Sequence, residues 1–170
     1  MTPPSEHVLI DFRERSRDSN WMIINDGVMG GRSSSRMERS DSGHAVFSGI
    51  VSLENNGGFA STRASVTTPD EHEFTGVRLW VRGDGQQYRF RIRTDDLFDG
   101  VAYQKTFATI AGEWTTVDLP FSEYSPSFRG RIPTGVGSLD PNRIRQIGFL
   151  IADKQAGPFR LEIERIAVYR

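Results

Sequence analysis

Alternation with a period of two constrains this chain more than any other feature. Val8, Ile10 and Phe12 alternate with Leu9 and Asp11, and Phe47, Gly49, Val51 and Leu53 alternate with Ser48, Ile50 and Ser52. Val77, Leu79 and Val81 oppose Arg78, Trp80 and Arg82, and Tyr88, Phe90 and Ile92 oppose Arg89, Arg91 and Arg93. Val117, Leu119 and Phe121 alternate with Asp118 and Pro120. Phe159, Leu161 and Ile163 do the same with Arg160, Glu162 and Glu164, and Ile166 and Val168 continue that segment. Such spacing places apolar side chains on one face of a strand and rules out a mainly helical fold. Residues 147–151 are a short continuous apolar run, as expected of a strand covered on both faces. Turn signals such as Ser42-Gly43, Asn56-Gly57-Gly58, Gly83-Asp84-Gly85, Asp99-Gly100 and Gly157-Pro158 separate the runs. The pattern predicts an all-β, jelly-roll-like β-sandwich. A single helical turn is expected at Asp140, an N-cap with Pro141 behind it. With no internal repeat or linker, residues 1–170 read as one domain, long enough to bury a substantial core.

Two corners stand apart from this regularity. After the apolar residues at 21–24, the sequence Asn25-Asp26-Gly27-Val28-Met29-Gly30-Gly31 packs three glycines into five positions. Asn55-Asn56-Gly57-Gly58 echoes it. Asp-Gly and Gly-Gly steps favour backbone conformations that branched residues resist, so both are constrained loops. The expectation is that the two corners meet as one polar site on a β scaffold; the plainer alternative is two tight turns.

Bulk properties remove several function classes. Acidic and basic residues number 22 and 21, so no net field recruits nucleic acid or an anionic membrane. The absence of cysteine excludes thiolate catalysis, cysteine-ligated zinc, iron–sulfur clusters and disulfides. The opening residues do not read as a secretory signal or an organelle transit peptide. No apolar run approaches the roughly 20 residues of a membrane helix. The expectation is a soluble, cytoplasmic chain that does not itself enter the bilayer.

Catalytic readings find little support. His7, His44 and His72 are scattered without ligand spacing. There is no Gly-x-Ser-x-Gly elbow, the 27–31 loop lacks the Gly-Lys-Ser/Thr of a phosphate loop, and no βαβ unit offers a dinucleotide site. Asp95, Asp96 and Asp99 would suit calcium or glycoside cleavage, but a solvated loop offsetting nearby arginines is the favoured reading. No cofactor, metal or catalytic residue is assigned. Binding readings do better. If the strands of 76–82 and 87–93 are neighbours, Trp80 shares a face with Arg78, Arg82, Arg89, Arg91 and Arg93, a surface for stacking on a sugar or gripping an acidic partner. The alternative is that Trp80 is covered and the arginines pair with Asp95, Asp96, Glu162 and Glu164. Residues 122–139, with Pro126, Pro133, Tyr124, Phe128, Arg129 and Arg131, form a long connection expected to lie packed on one edge or face.

Several of these motifs, in this order, resemble the complex I intermediate-associated protein 30 family. The resemblance is carried by residues 21–33 around Asn25-Asp26-Gly27, by Phe47-Ser48-Gly49 leading to 55–61, and by Gly112-Glu113-Trp114 with Leu119-Pro120-Phe121. It continues through Pro126-Ser127-Phe128-Arg129-Gly130-Arg131, residues 147–155 and Gly157-Pro158-Phe159. It implies a galactose-binding-domain-like β-sandwich. It also implies a non-enzymatic assembly role, since mitochondrial members bind intermediates of respiratory complex I, and relatives in photosynthetic organisms serve photosystem biogenesis. This chain reads as a bare, single-domain, bacterial-type member. The resemblance draws attention to the loops at 25–33, 55–63, 126–131 and 152–155. Asn25, Asp26, Asn55, Asn56, Arg63, Trp80, Arg89, Arg91, Arg129, Arg131 and Asp153 are therefore the candidate binding residues. The expected partners are protein subunits or assembly intermediates of a membrane complex, and the alternative ligand is carbohydrate bound by Trp80 and the arginines on a concave face. A competing structural role would place Arg63, Arg129, Asp26 and Asp153 in one buried network pinning loops to the sandwich.

Overall fold

The computed structural model describes residues 6–14, 21–69, 73–97, 99–129 and 131–170. His72, Gly130, the opening residues 1–5 and the side chain of Asn56 lie outside the described part.

Two antiparallel sheets enclose one core. The first contains β3 (Ser34–Arg39), β4 (Ala45–Val51), β12 (Gly157–Tyr169), β6 (Gly76–Arg82) and β9 (Trp114–Pro120) in that order, and β1 (Glu6–Asp11) also pairs with β12. The second runs β10 (Ser125–Ser127), β8 (Ala102–Ala108), β7 (Gln87–Arg93), β11 (Gln146–Ile151), β5 (Ala60–Ser65), β2 (Met22–Asn25). Among the described residues the helical elements are single 3-10 turns, including the expected one at Pro141–Arg143, where Asp140 accepts from the Asn142 N–H at 3.0 Å. No helix of the described residues is long and apolar enough to cross a membrane.

The inward residues are those the alternation selects. Phe47, Leu79, Val81, Leu161 and Ile163 of the first sheet meet Tyr88, Phe90, Ile92, Ile147 and Phe149 of the second, all essentially without solvent exposure. Strand β11 is buried along its whole length, as its unbroken apolar run predicts. The alternation does not announce β3, β5, β8 or β10. Strand β5 reads Ala-Ser-Thr-Arg-Ala-Ser, yet it is central enough to be buried because its small side chains allow β2 and β11 to pair closely on either side.

One expectation about neighbours is overturned. Strands β6 and β7 follow each other across a four-residue connection but belong to opposite sheets: β6 pairs with β12 and β9, and β7 with β11 and β8. The connection therefore crosses the sandwich instead of forming a hairpin. Asp84 holds the crossing by accepting from the Gln86 N–H at 3.1 Å, the Tyr88 hydroxyl at 3.0 Å and the Arg160 N–H at 2.8 Å. Trp80, Arg78 and Arg82 thus lie on the outer surface of the first sheet, and Arg89, Arg91 and Arg93 on the opposite outer surface. The face expected to join Trp80 with Arg89, Arg91 and Arg93 does not form, and Trp80 keeps only its own strand's Arg78 and Arg82 from that set. Trp80 instead stacks on Trp114 at 6.4 Å and 14° between ring planes. Glu162 and Glu164 belong to the first sheet: Glu162 pairs with Arg82, as the alternative reading expected, and with Arg160, and Glu164 pairs with Arg13, so these acids do not serve the β7 arginines on the other sheet.

The long connection after β9 packs along the edge of the second sheet, where β10 pairs with β8. Tyr124 and Leu139 rest against the core, and the Tyr103 hydroxyl donates to Gly137 O at 2.9 Å. It borders the β7 arginines and leaves Trp80 to the other side.

Candidate functional site

A groove of about 740 Å³ lies over the outer face of the second sheet. Its floor follows from strand register. Gly148 of β11 sits opposite Arg63 of β5 on one side and Arg91 of β7 on the other, so two arginines flank a bare glycine across three strands. A side chain at 148 is prohibited: its Cβ would fall 2.3 Å from Thr62 O and 2.9 Å from the Arg63 Cβ. One step along, Gln146 lies opposite Arg93, and Phe59, Ile24 and Leu150 supply apolar walls.

The groove is electrostatically unbalanced at its centre. Arg91 is held down to about 10, first by burial and then by repulsion from Arg93, Arg89 and Arg63. Arg93 is likewise pushed down to about 10 by burial and by Arg63, with Asp95 and Asp99 acting in the opposite sense. Burial also lowers Arg63, against the pull of Asp99 and Asp95. Arg93 donates to Gly100 O at 2.6 Å, and Arg89 pairs with Asp153. The buried Nε of Arg91 has no hydrogen-bond partner, and its register neighbour Gln104 is neutral.

The two corners do meet, as a latch beside the groove. Asp26 is wholly buried, and its carboxylate accepts from Ser33 N–H at 2.9 Å, Ser33 Oγ at 2.6 Å, Gly58 N–H at 2.7 Å and Phe59 N–H at 3.3 Å. Burial alone would raise its pKa, but these donors outweigh it and hold the carboxyl below its ordinary value. Two of the glycines are explained by that carboxylate: a Cβ on Gly31 would lie 2.4 Å from the Asp26 Cγ, and one on Gly57 would lie 2.5 Å from its Oδ2, whereas Gly30 and Gly58 sit at positive φ, 87° and 123°. Asn25 Oδ1 accepts from Ser35 Oγ at 2.7 Å and Ser61 N–H at 3.3 Å, and Asn55 Nδ2 donates to Gly30 O at 3.1 Å.

The candidate residues therefore separate. Arg63, Arg91 and Arg129 line the groove, and Arg89 pairs with Asp153. Arg131 is exposed on the 126–131 loop. Asn25, Asp26 and Asn55 are committed to the latch, and Trp80 is on the far sheet. The single buried network of Arg63, Arg129, Asp26 and Asp153 is not formed. Asp26 bonds to Ser33 and backbone, whereas Arg129 pairs with Asp99 at 2.6 Å with its side chain 71% exposed. Arg129→Ala should therefore change the unfolding free energy by less than about 0.5 kcal/mol. A urea titration showing a loss above about 1.5 kcal/mol would return Arg129 to a structural role.

Gly148 and Gln146 escaped the sequence reading. Gly148 sits inside an apolar run that reads as pure core, and its importance lies in what faces it from β5 and β7. Gln146, whose Nε2 donates to Asp95 O at 2.9 Å, carried one signal: a polar residue opening a wholly buried strand. The acids Asp95 and Asp99 are engaged with the Leu97 N–H and Arg129. Among the described residues no three His, Cys, Asp or Glu side chains cluster as metal ligands would.

Comparison with known proteins agrees on fold and lineage. The chain superimposes on a Family 11 carbohydrate-binding module from Clostridium thermocellum, solved with a β-1,3-1,4-mixed-linked tetrasaccharide, with a TM-score of 0.73 and 20% identity over 99% of this chain and 97% of that one. A Family 29 module variant gives 0.58 at 9% identity, covering 97% and 91% of the two chains. At such identities the similarity is one of fold. In sequence, the chain is 28% identical to complex I intermediate-associated protein 30, mitochondrial, of Drosophila melanogaster over 98% of its own length, and 30% identical to the Mus musculus protein of that name over 95%. It spans 64% and 56% of those two proteins. An uncharacterised Schizosaccharomyces pombe protein is 30% identical over 94% of this chain and 82% of its own. The sequence profile of complex I intermediate-associated protein 30 matches residues 10–163, nearly the whole sandwich, and the chain therefore belongs to that family.

Proposed function

We propose that this domain is a binding module that acts in the assembly of a membrane-associated complex, respiratory complex I being the leading candidate, by holding protein subunits or intermediates and without catalysing a reaction. The observation that carries this reading is the extent of the family match. It covers residues 10–163, and the Drosophila and mouse relatives named for association with complex I intermediates align with almost all of this chain. The module would reach the membrane through its partner.

Affinity purification of the tagged chain from mildly detergent-solubilised native cells tests the proposal. Subunits of a respiratory complex should co-purify in substoichiometric amount. Retention on a polysaccharide array with no protein partner would replace the assembly reading with carbohydrate recognition. That alternative has lost part of its expected platform, because Trp80 and the β7 arginines occupy opposite surfaces. Hydrolysis of a glycoside abolished by Asp95→Asn would overturn the non-catalytic part.

A further inference from the structure

We propose that the groove on the outer face of the second sheet receives an extended, acidic polypeptide segment of the partner, with a glutamate or aspartate side chain seated on Arg91 above Gly148. The proposal rests on the protein-partner reading above and names the chemistry of the contact.

Charge points to an anion. A guanidinium taken out of water without a counter-charge is costly. Among the described residues, the charges that bear on Arg91 are those of further arginines: Arg93, Arg89 and Arg63 each oppose its charge. Arg89 is answered by Asp153 and Arg93 is eased by Asp95 and Asp99. Arg91 has no carboxylate among the described residues, and its Nε is buried without a hydrogen-bond partner. An incoming carboxylate would supply the missing counter-charge, and the groove lined by Arg91 and Gly148 is open to receive it.

Spacing points to an extended chain. Arg91 and Arg93 are two residues apart on one strand and face the same way, about 6.6 Å apart along the strand. A peptide in β conformation repeats its side chains at that interval, so acids at every second position would match the two arginines. Its alternate side chains would point away from the arginines, so the acids carry the contact. Sugar recognition would call for a broad aromatic platform. Here both Trp80 and Trp114 lie on the first sheet, and the described groove lining contains no Trp or Tyr.

The test uses the full chain and two fluorescein-labelled octapeptides, one alternating glutamate with leucine and one alternating glutamine with leucine, read by fluorescence anisotropy. The glutamate peptide should bind at least tenfold more tightly, and its affinity should fall as salt rises. Arg91→Gln should weaken it at least tenfold while leaving the melting temperature equal to or above that of the parent, because an unanswered buried charge has been removed. Arg36→Gln, on the exposed β3 of the first sheet, should change neither. Equal affinity for the two peptides, an undiminished affinity of Arg91→Gln, or no binding of the glutamate peptide at about 1 mM would each overturn the proposal. So would selective binding of oligogalacturonate, which would assign the groove to acidic sugar. Co-purification of complex subunits that persists with Arg91→Gln would leave the assembly role standing and remove the groove from it. Selective peptide binding without co-purifying subunits would do the reverse.

Discussion

Asp26→Ala should be the most damaging single substitution in the chain, lowering the unfolding free energy by about 3 to 5 kcal/mol. Three backbone N–H groups and the Ser33 hydroxyl converge on this carboxylate, which is fully buried. Truncation leaves those donors without an acceptor in a place water reaches poorly, and each orphaned buried donor costs about 1 to 3 kcal/mol where water cannot replace the bond. For a domain of this size the melting temperature should fall by roughly 10 °C or more. Asp26→Asn should recover only part of the loss, since one of its two terminal atoms becomes a donor facing donors. A double-mutant cycle identifies the cause. Gly57→Ala introduces a Cβ 2.5 Å from the Asp26 Oδ2, so it should destabilise the parent strongly and cost markedly less when Asp26 is already Ala. Simple additivity of the two substitutions would show that the glycine serves the turn and not the carboxylate.

The second large effect lies on the first sheet, at Glu162. This side chain is buried and accepts from Arg82 through both oxygens, from Arg160 at 3.1 Å, and shares a hydrogen bond with His44 Nε2 at 3.0 Å. The bonds from Arg82, opposed by burial and helped by Arg160, bring its pKa down to about 2 from an ordinary 4.5. A carboxylate depressed in the folded state contributes stability that is fully present above its unfolded pKa. That stability is lost as pH falls through the folded one. About 3 kcal/mol should therefore disappear between pH 4.5 and pH 2. Glu162→Gln should cost about 2 to 3 kcal/mol at pH 7 and flatten the stability curve across that interval. Asp26 and Asp11, also held below their ordinary values, contribute acid sensitivity of the same sign that remains in the variant. Urea titrations of parent and variant at several pH values measure the difference. An unchanged acid limb in Glu162→Gln would show that the cluster around Glu162 contributes little to folding.

These two clusters show how far local pattern reaches. The pairing of the 25–31 and 55–58 corners was expected because amide and glycine residues at both places demand unusual backbone, and the structure joins them through Asp26. The motif did not reveal that two of the glycines, Gly31 and Gly57, make room for the Asp26 carboxylate. Strands with apolar alternation were equally legible. Strand β3 was not, since Met37 is its single large apolar side chain, nor was β5, whose burial depends on its neighbours and not on its own hydrophobicity.

The candidate groove was legible only in pieces. Arg63, Arg89, Arg91 and Arg129 were singled out from residue type and family motif, yet Trp80 was joined to them on the assumption that consecutive strands pair. Asp84, bonding to Gln86, Tyr88 and Arg160, turns the chain across the sandwich at that point and sends the arginines and the tryptophan to opposite surfaces.

By itself, then, the sequence determined an all-β sandwich, which side chains of most strands face inward, and the two polar corners. Period-two alternation specifies the face of a residue within its own strand, and that is a local property. The tertiary structure alone decided which strands became neighbours. Pairing across a sheet joins residues far apart in the chain, and it was this pairing that set Arg63 and Arg91 on either side of Gly148 and left a positive charge there unanswered.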